Sequence, residues 1–174
     1  MPLLIQGVQF RVNENIRSYA SEAIGHLVES EVNSGKPEAL QNAILLSKNF
    51  LGVIWAAIDC EFETNAKVTH LDTVKTIISA IPMPFLTQEE VDEMGRRVVN
   101  LIKATLANRA KLQQEKTTTE DETDSEGDDE FYEEMVKSEE DSLHTEVSEL
   151  LGAIFKTHKE QSLPFVQYFF TDMM

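Results

Sequence analysis

Apolar residues in this chain recur at helical spacing and almost never alternate with polar ones, which confines it to helices packed on helices. In Ile16, Ala20, Ala23, Ile24 and Leu27 the steps are those of one helix face, with Asn13 or Asn15 placed to cap the start. Strand signals are nearly absent. Glycines number only seven, and neither Asn-Gly nor Asp-Gly marks a hairpin.

Further helices follow in order. Pro37 suits a first turn, and the segment after it, through Phe50, Leu51, Ile54, Trp55 and Ile58, carries a broad apolar face that predicts a largely buried helix. Val68, Leu71, Val74, Ile77, Ile78 and Ile81 predict a third, which Pro82 and Pro84 end. Thr87-Gln88-Glu89-Glu90 reads as a capping box. The helix it opens has Val91, Met94, Val98, Leu101, Ile102 and Leu106 as its core face. A fifth carries Phe131, Met135, Leu143, Val147, Leu150, Leu151, Ile154 and Phe155, and a last begins after Ser162-Leu163-Pro164. Helices joined by turns predict an all-α fold.

The charge is uneven. Of a formal −16, the window Glu120 to Asp141 holds 13 acids against Lys137, leaving 18 acids and 14 bases elsewhere. Residues 117–129 contain no apolar side chain, so an extended acidic loop is expected over 117–130. It separates helical pairs over 1–116 from further helices over 131–174. Such a balance disfavours nucleic acid, whose phosphates need a basic face, and favours a basic protein partner. The candidate contacts are Glu120, Asp121, Glu122, Asp124, Glu126, Asp128, Asp129 and Glu130.

Catalytic and metal chemistry find little support. His26, His70, His144 and His158 fall on separate predicted helices without ligand spacing and read as surface or packing residues. Cys60 follows an apolar helix with no Lys or Arg beside it and reads as a buried structural thiol. One cysteine forms no internal disulfide, which suits a reducing compartment. Gly-x-Ser-x-Gly and phosphate-loop patterns are missing, so no enzyme activity, metal or cofactor is expected. The longest apolar run, Phe50 to Ile58, is far short of a bilayer span, and the first residues lack the pattern of a signal peptide. Trp55 reads as core. Arg96, Arg97 and Lys103 read as a solvated face, with pairing to the acidic helix or loop as the alternative.

An internal repeat is visible. Residues 16–27 overlay 143–154 at an offset close to three units of the usual HEAT length. Asn13, Ile16-Arg17, Ala20 and Ala23-Ile24-Gly25-His26-Leu27 resemble the second helix of a HEAT repeat, in which the Arg braces the neighbouring unit and the small residues let helices approach. The later copy departs at His144 and Val147.

The order of features (a HEAT pair, a long helix, an acidic stretch, Phe131-Tyr132-Glu133-Glu134, Leu150-Leu151-Gly152-Ala153-Ile154-Phe155 and Leu163-Pro164-Phe165) resembles the C-terminal part of the importin-β (karyopherin-β) receptors. Within that family it is most similar to the karyopherin beta-3 (importin five) subgroup. The resemblance implies a right-handed HEAT superhelix that carries basic protein cargo through nuclear pores. It also implies contact with nucleoporins, release by the GTP form of Ran at a site outside this segment, and shuttling between cytoplasm and nucleus. Membrane and nucleic acid are not among the implied partners. Leu3, Leu4 and Ile5 at one end, and Phe165, Val166, Phe169 and Phe170 at the other, read as open apolar faces, so a slice of a longer solenoid is expected. The other reading is a structural HEAT subunit of a different assembly, such as a phosphatase, condensin or clathrin-adaptor scaffold.

Overall fold

The computed structural model describes residues 2–119 and 126–167, with side chains described outside 112–136. The described elements are α1 (Pro2–Val8), α2 (Glu14–Val32), α3 (Ala39–Cys60), α4 (Thr64–Ala80), α5 (Gln88–Thr119), α6 (Glu126–His158) and a 3₁₀ turn (Lys159–Ser162). No strand occurs among the described residues. The chain folds as successive helix pairs, in agreement with the all-α HEAT-type stack expected from its sequence.

Local chemistry sets the boundaries. Asn13 Oδ1 accepts the N–H groups of Asn15 and Ile16 at 2.9 and 3.4 Å, so Asn13 is the cap of α2. At α5 the capping box is complete. The Thr87 N–H donates to Glu90 Oε2 at 2.7 Å, and the Glu90 N–H donates to Thr87 Oγ1 at 3.2 Å. Lys159 adopts a positive φ of 39°, a conformation few side chains enter, and there the chain leaves α6. The Thr157 hydroxyl donates to the Ile78 carbonyl, and the Gln161 amide to that of Leu86, tying this turn back to α4 and its exit.

Helices α2, α4 and α6 lie side by side as one layer. Helices α1 and α3 pack against α2, α3 also packs against α4, and α5 packs against α6. The core runs continuously between the layers through Ile24, Val28, Phe50, Ile54, Ile58, Leu71, Val74, Ile77, Val98, Val147, Leu150 and Ile154, all essentially without solvent exposure. Trp55 belongs to this core, as expected, with the Arg97 guanidinium carbon 5.9 Å from its ring centre. By length and composition α3 is apolar enough to cross a bilayer, which the short run Phe50 to Ile58 did not suggest. Its buried face, Ala43, Ser47, Phe50, Ile54 and Ile58, is spent on α2 and α4.

Small residues set the helix spacing. A β-carbon built on Gly7 of α1 would fall 2.7 Å from the Ala20 Cβ of α2. One built on Gly25 of α2 would fall 3.3 Å from Thr76 Cγ2 and 3.6 Å from Thr73 Cγ2 of α4. Both Ala20 and Gly25 therefore sit at close helix–helix contacts, as their places in the repeat motif implied.

Five expectations need correction. Phe165, read as part of an open apolar end, is buried because its ring packs over Gly95 of α5, and Leu4 and Ile5 at the other end are partly buried against the core. Cys60 is exposed, because it is the last residue of α3 and faces out of the stack. The segments 16–27 and 143–154 lie on α2 and α6, two pairs apart rather than three, because α5 and α6 are 32 and 33 residues long and stretch the offset. Leu106 is 45% exposed, because among the described residues α5 packs only on α6 and the 3₁₀ turn, which leaves part of its expected core face uncovered. Helix also covers both flanks of the expected loop, α5 reaching Thr119 and α6 beginning at Glu126; residues 120–125 lie outside those described. The acids that open α6 favour this extension, because carboxylates near a helix N-terminus interact well with its dipole.

Candidate partner-binding surface

Two parts of the molecule hold charged side chains in defined geometry. The first is a brace between the first two helix pairs. Arg17 of α2 reaches the α3–α4 turn and donates to both oxygens of Glu61, from Nε at 2.6 Å and from Nη2 at 2.8 Å. A third donation, from Nη1, goes to the Phe10 carbonyl. Glu61 also accepts the N–H groups of Phe62 and Glu63 at 3.0 and 3.1 Å. Its Oε2 lies 3.6 Å from Nε2 of the buried His70, whose Nδ1 is 2.6 Å from Ser21 Oγ.

Burial works to raise the Glu61 carboxyl. The Arg17 bond and the two backbone N–H groups outweigh it and hold the carboxyl below its ordinary value. The Arg17 guanidinium is raised, first by its hydrogen bond to Glu61. His70 is lowered by burial, with the nearby Arg17 charge acting in the same sense against Glu61. This site holds a turn onto a helix and leaves no group turned outward for chemistry. The bracing implied for Arg17 is present. Its partner Glu61, a charged residue in a turn, carries no local pattern that would have singled it out.

The second part is acidic and lies along α6. Lys75 of α4 is held by three carboxylates, those of Asp72, Glu146 and Glu149, at 2.6 to 2.7 Å. Burial lowers the Lys75 ammonium, but hydrogen bonds to the three acids more than reverse this, so it stays charged and still leaves the group net negative. Burial raises the Glu146 carboxyl despite Lys75. A shallow, open depression on α6 beside this cluster is lined by Asp141, His144, Thr145, Ser148 and Glu149.

Toward its start, α6 runs antiparallel to α5. The rungs are His144 Nε2 with Thr105 Oγ1 at 2.8 Å and Arg109 Nε with Glu140 Oε2 at 3.7 Å. His144, which replaces the repeat Arg, contacts the helix of its own pair, where Arg17 braces the neighbouring pair. Of the eight candidate contacts, Glu126, Asp128, Asp129 and Glu130 lie on the backbone of the first turns of α6. Their side chains, and Glu120, Asp121, Glu122 and Asp124 altogether, fall outside the described residues.

Arg96 and Arg97 pair with Glu93 of their own helix, and Arg97 also pairs with Asp59 of α3; among the described pairs neither arginine reaches α6. His26 is exposed and His158 buried. Among the described residues no group of His, Cys, Asp and Glu is arranged to hold a metal ion.

The family model of Importin repeat 6 matches residues 66–173. That span takes in nearly all of α4, both long helices and the whole acidic window. No curated protein matches the chain.

Proposed function

The chain belongs to the Importin repeat 6 family, and from that premise we propose that it serves a nuclear transport receptor of the importin kind as a helical, non-enzymatic scaffold for basic protein cargo. The family match carries this reading, because it covers the acidic window together with the helices that display it. Charge supports it independently. The window Glu120 to Asp141 holds 13 acids against one base, a field suited to lysine- and arginine-rich segments. On this reading the receptor is of the karyopherin beta-3 type, shuttles between cytoplasm and nucleus, and has Ran and nucleoporins as its other partners.

Equilibrium binding tests the proposal. The chain should bind a Lys/Arg-rich peptide and not its Ser/Asn-substituted counterpart, with affinity falling as salt rises. Equal binding of the two peptides would leave a structural scaffold of another assembly as the better reading.

A further inference from the structure

The middle helix pair carries a large apolar side chain that the fold does not use. Glu61 and Glu63, on either side of Phe62, both have extended backbone. In extended chain successive side chains point to opposite sides. Glu61 turns inward to Arg17 and His70, so Phe62 turns away from them, and it is 94% exposed. This pair already has a neighbour on each side, so repeats added at either end of the stack would leave its turn uncovered. The preceding turn on the same edge adds Val12, 87% exposed, and Phe10, whose carbonyl shares the Arg17 guanidinium with Glu61.

The third pair overshoots that edge. Arg97 of α5 stands level with Asp59 near the end of α3, yet α5 continues to Thr119. Lys75 of α4 stands level with Glu146 and Glu149 of α6. Counting back equally along both helices sets Thr64, where α4 begins, level with about residue 137, whereas α6 begins at Glu126. Both long helices therefore project past the α3–α4 turn, by roughly 15 Å at about 1.5 Å per residue. The projecting part of α6 holds Glu126, Asp128, Asp129, Glu130, Glu133 and Glu134, with no Lys or Arg before Lys137. The result is a step, with exposed Phe62 on its floor and a strongly acidic helix rising beside it.

We propose that this step docks a Lys/Arg-rich segment bearing a large apolar side chain, which Phe62 covers while the projecting acids hold the charges. The inference rests on the reading of the chain as a scaffold for basic cargo, and it adds what that cargo carries besides charge. Complementarity selects the occupant. An acidic segment is repelled by the projecting helix, and a wholly apolar one gains nothing from it. A segment with charge alone leaves Phe62 in water.

Equilibrium binding to the full chain tests this with two probes, a Lys/Arg-rich peptide containing one Leu and the same peptide with Ser in its place. The parent should bind the Leu peptide roughly tenfold more tightly, about what partial burial of one Leu supplies. That ratio should persist as salt weakens both complexes. Phe62→Ser should erase the ratio, and Phe62→Leu should retain it. At 94% exposure neither change touches the core, so the thermal midpoint should stay that of the parent. A parent that binds both peptides alike, or a Phe62→Ser chain that keeps the preference, would overturn this inference and leave the cargo reading standing. Binding of neither peptide would overturn both.

Discussion

Ala20 of α2 stands against Gly7 of α1 with no room for a second side chain, a β-carbon at Gly7 falling 2.7 Å from the Ala20 Cβ. Enlarging either partner must push α1 off the stack. Ala20→Leu should cost about 1–3 kcal/mol in urea unfolding. A change within about 0.5 kcal/mol would mean that α1 yields freely and contributes little to the fold.

Gly95 of α5 makes the same argument with a sign reversal. The Phe165 ring lies where its β-carbon would be, 2.1 Å from Cδ2 and 2.7 Å from Cγ, and Phe165 is buried. Helix propensity alone favours Ala over Gly by about 1 kcal/mol. Here Gly95→Ala should destabilise, because the whole ring has to shift. In a Phe165→Ala background the same change should become neutral or stabilising. Independent, additive effects in that double-mutant cycle would show that the ring does not rest on Gly95.

The Arg17–Glu61 pair is nearly dry, with side chains 13% and 3% exposed. Arg17→Ala leaves the Glu61 carboxylate with only backbone donors, and a loss of about 3 kcal/mol is expected in the same unfolding assay. Glu61→Gln in the Arg17→Ala background should recover part of that loss, because the buried charge is gone.

Stability should fall in mild acid. Burial lowers the proton affinity of both His70 and His158, so each binds fewer protons folded than unfolded. Their contribution is complete above about pH 6.5, the ordinary histidine value, and is lost as pH drops through the lower folded values. Glu61, also lowered, extends the loss at more acid pH, whereas Glu146, raised, opposes it. Urea midpoints of the parent should therefore fall between pH 7.5 and 5.5. Those of a His70→Gln, His158→Gln variant should fall less steeply, whatever its absolute stability.

Much of this was legible in the sequence because it is local. The Thr87–Glu90 box and the Asn13 cap act within a few positions of where they are written; Ala20 and Gly25 were legible through the repeat motif, although the residues they meet lie on other helices. What stayed hidden is long-range. Glu61 gains its role from an Arg 44 residues away, and His70 is buried because α2 lies over it. Cys60 follows an apolar run but ends its helix on the outside. The acidic window looked unable to order itself by composition, yet from Glu126 onward it is helix, where clustered carboxylates at an N-terminus favour that state.

The central claim is that the acidic window draws in basic partners. The most direct measurement is stopped-flow association of a Lys/Arg-rich peptide. It would be made with the parent chain and with a variant in which Glu120, Asp121, Glu122, Asp124, Glu126, Asp128, Asp129 and Glu130 become Ser or Asn. Below about 0.1 M salt, where screening is weak, the parent should associate faster, and the difference should shrink as salt rises. Equal rates at low salt, with the helical spectrum unchanged, would contradict the account.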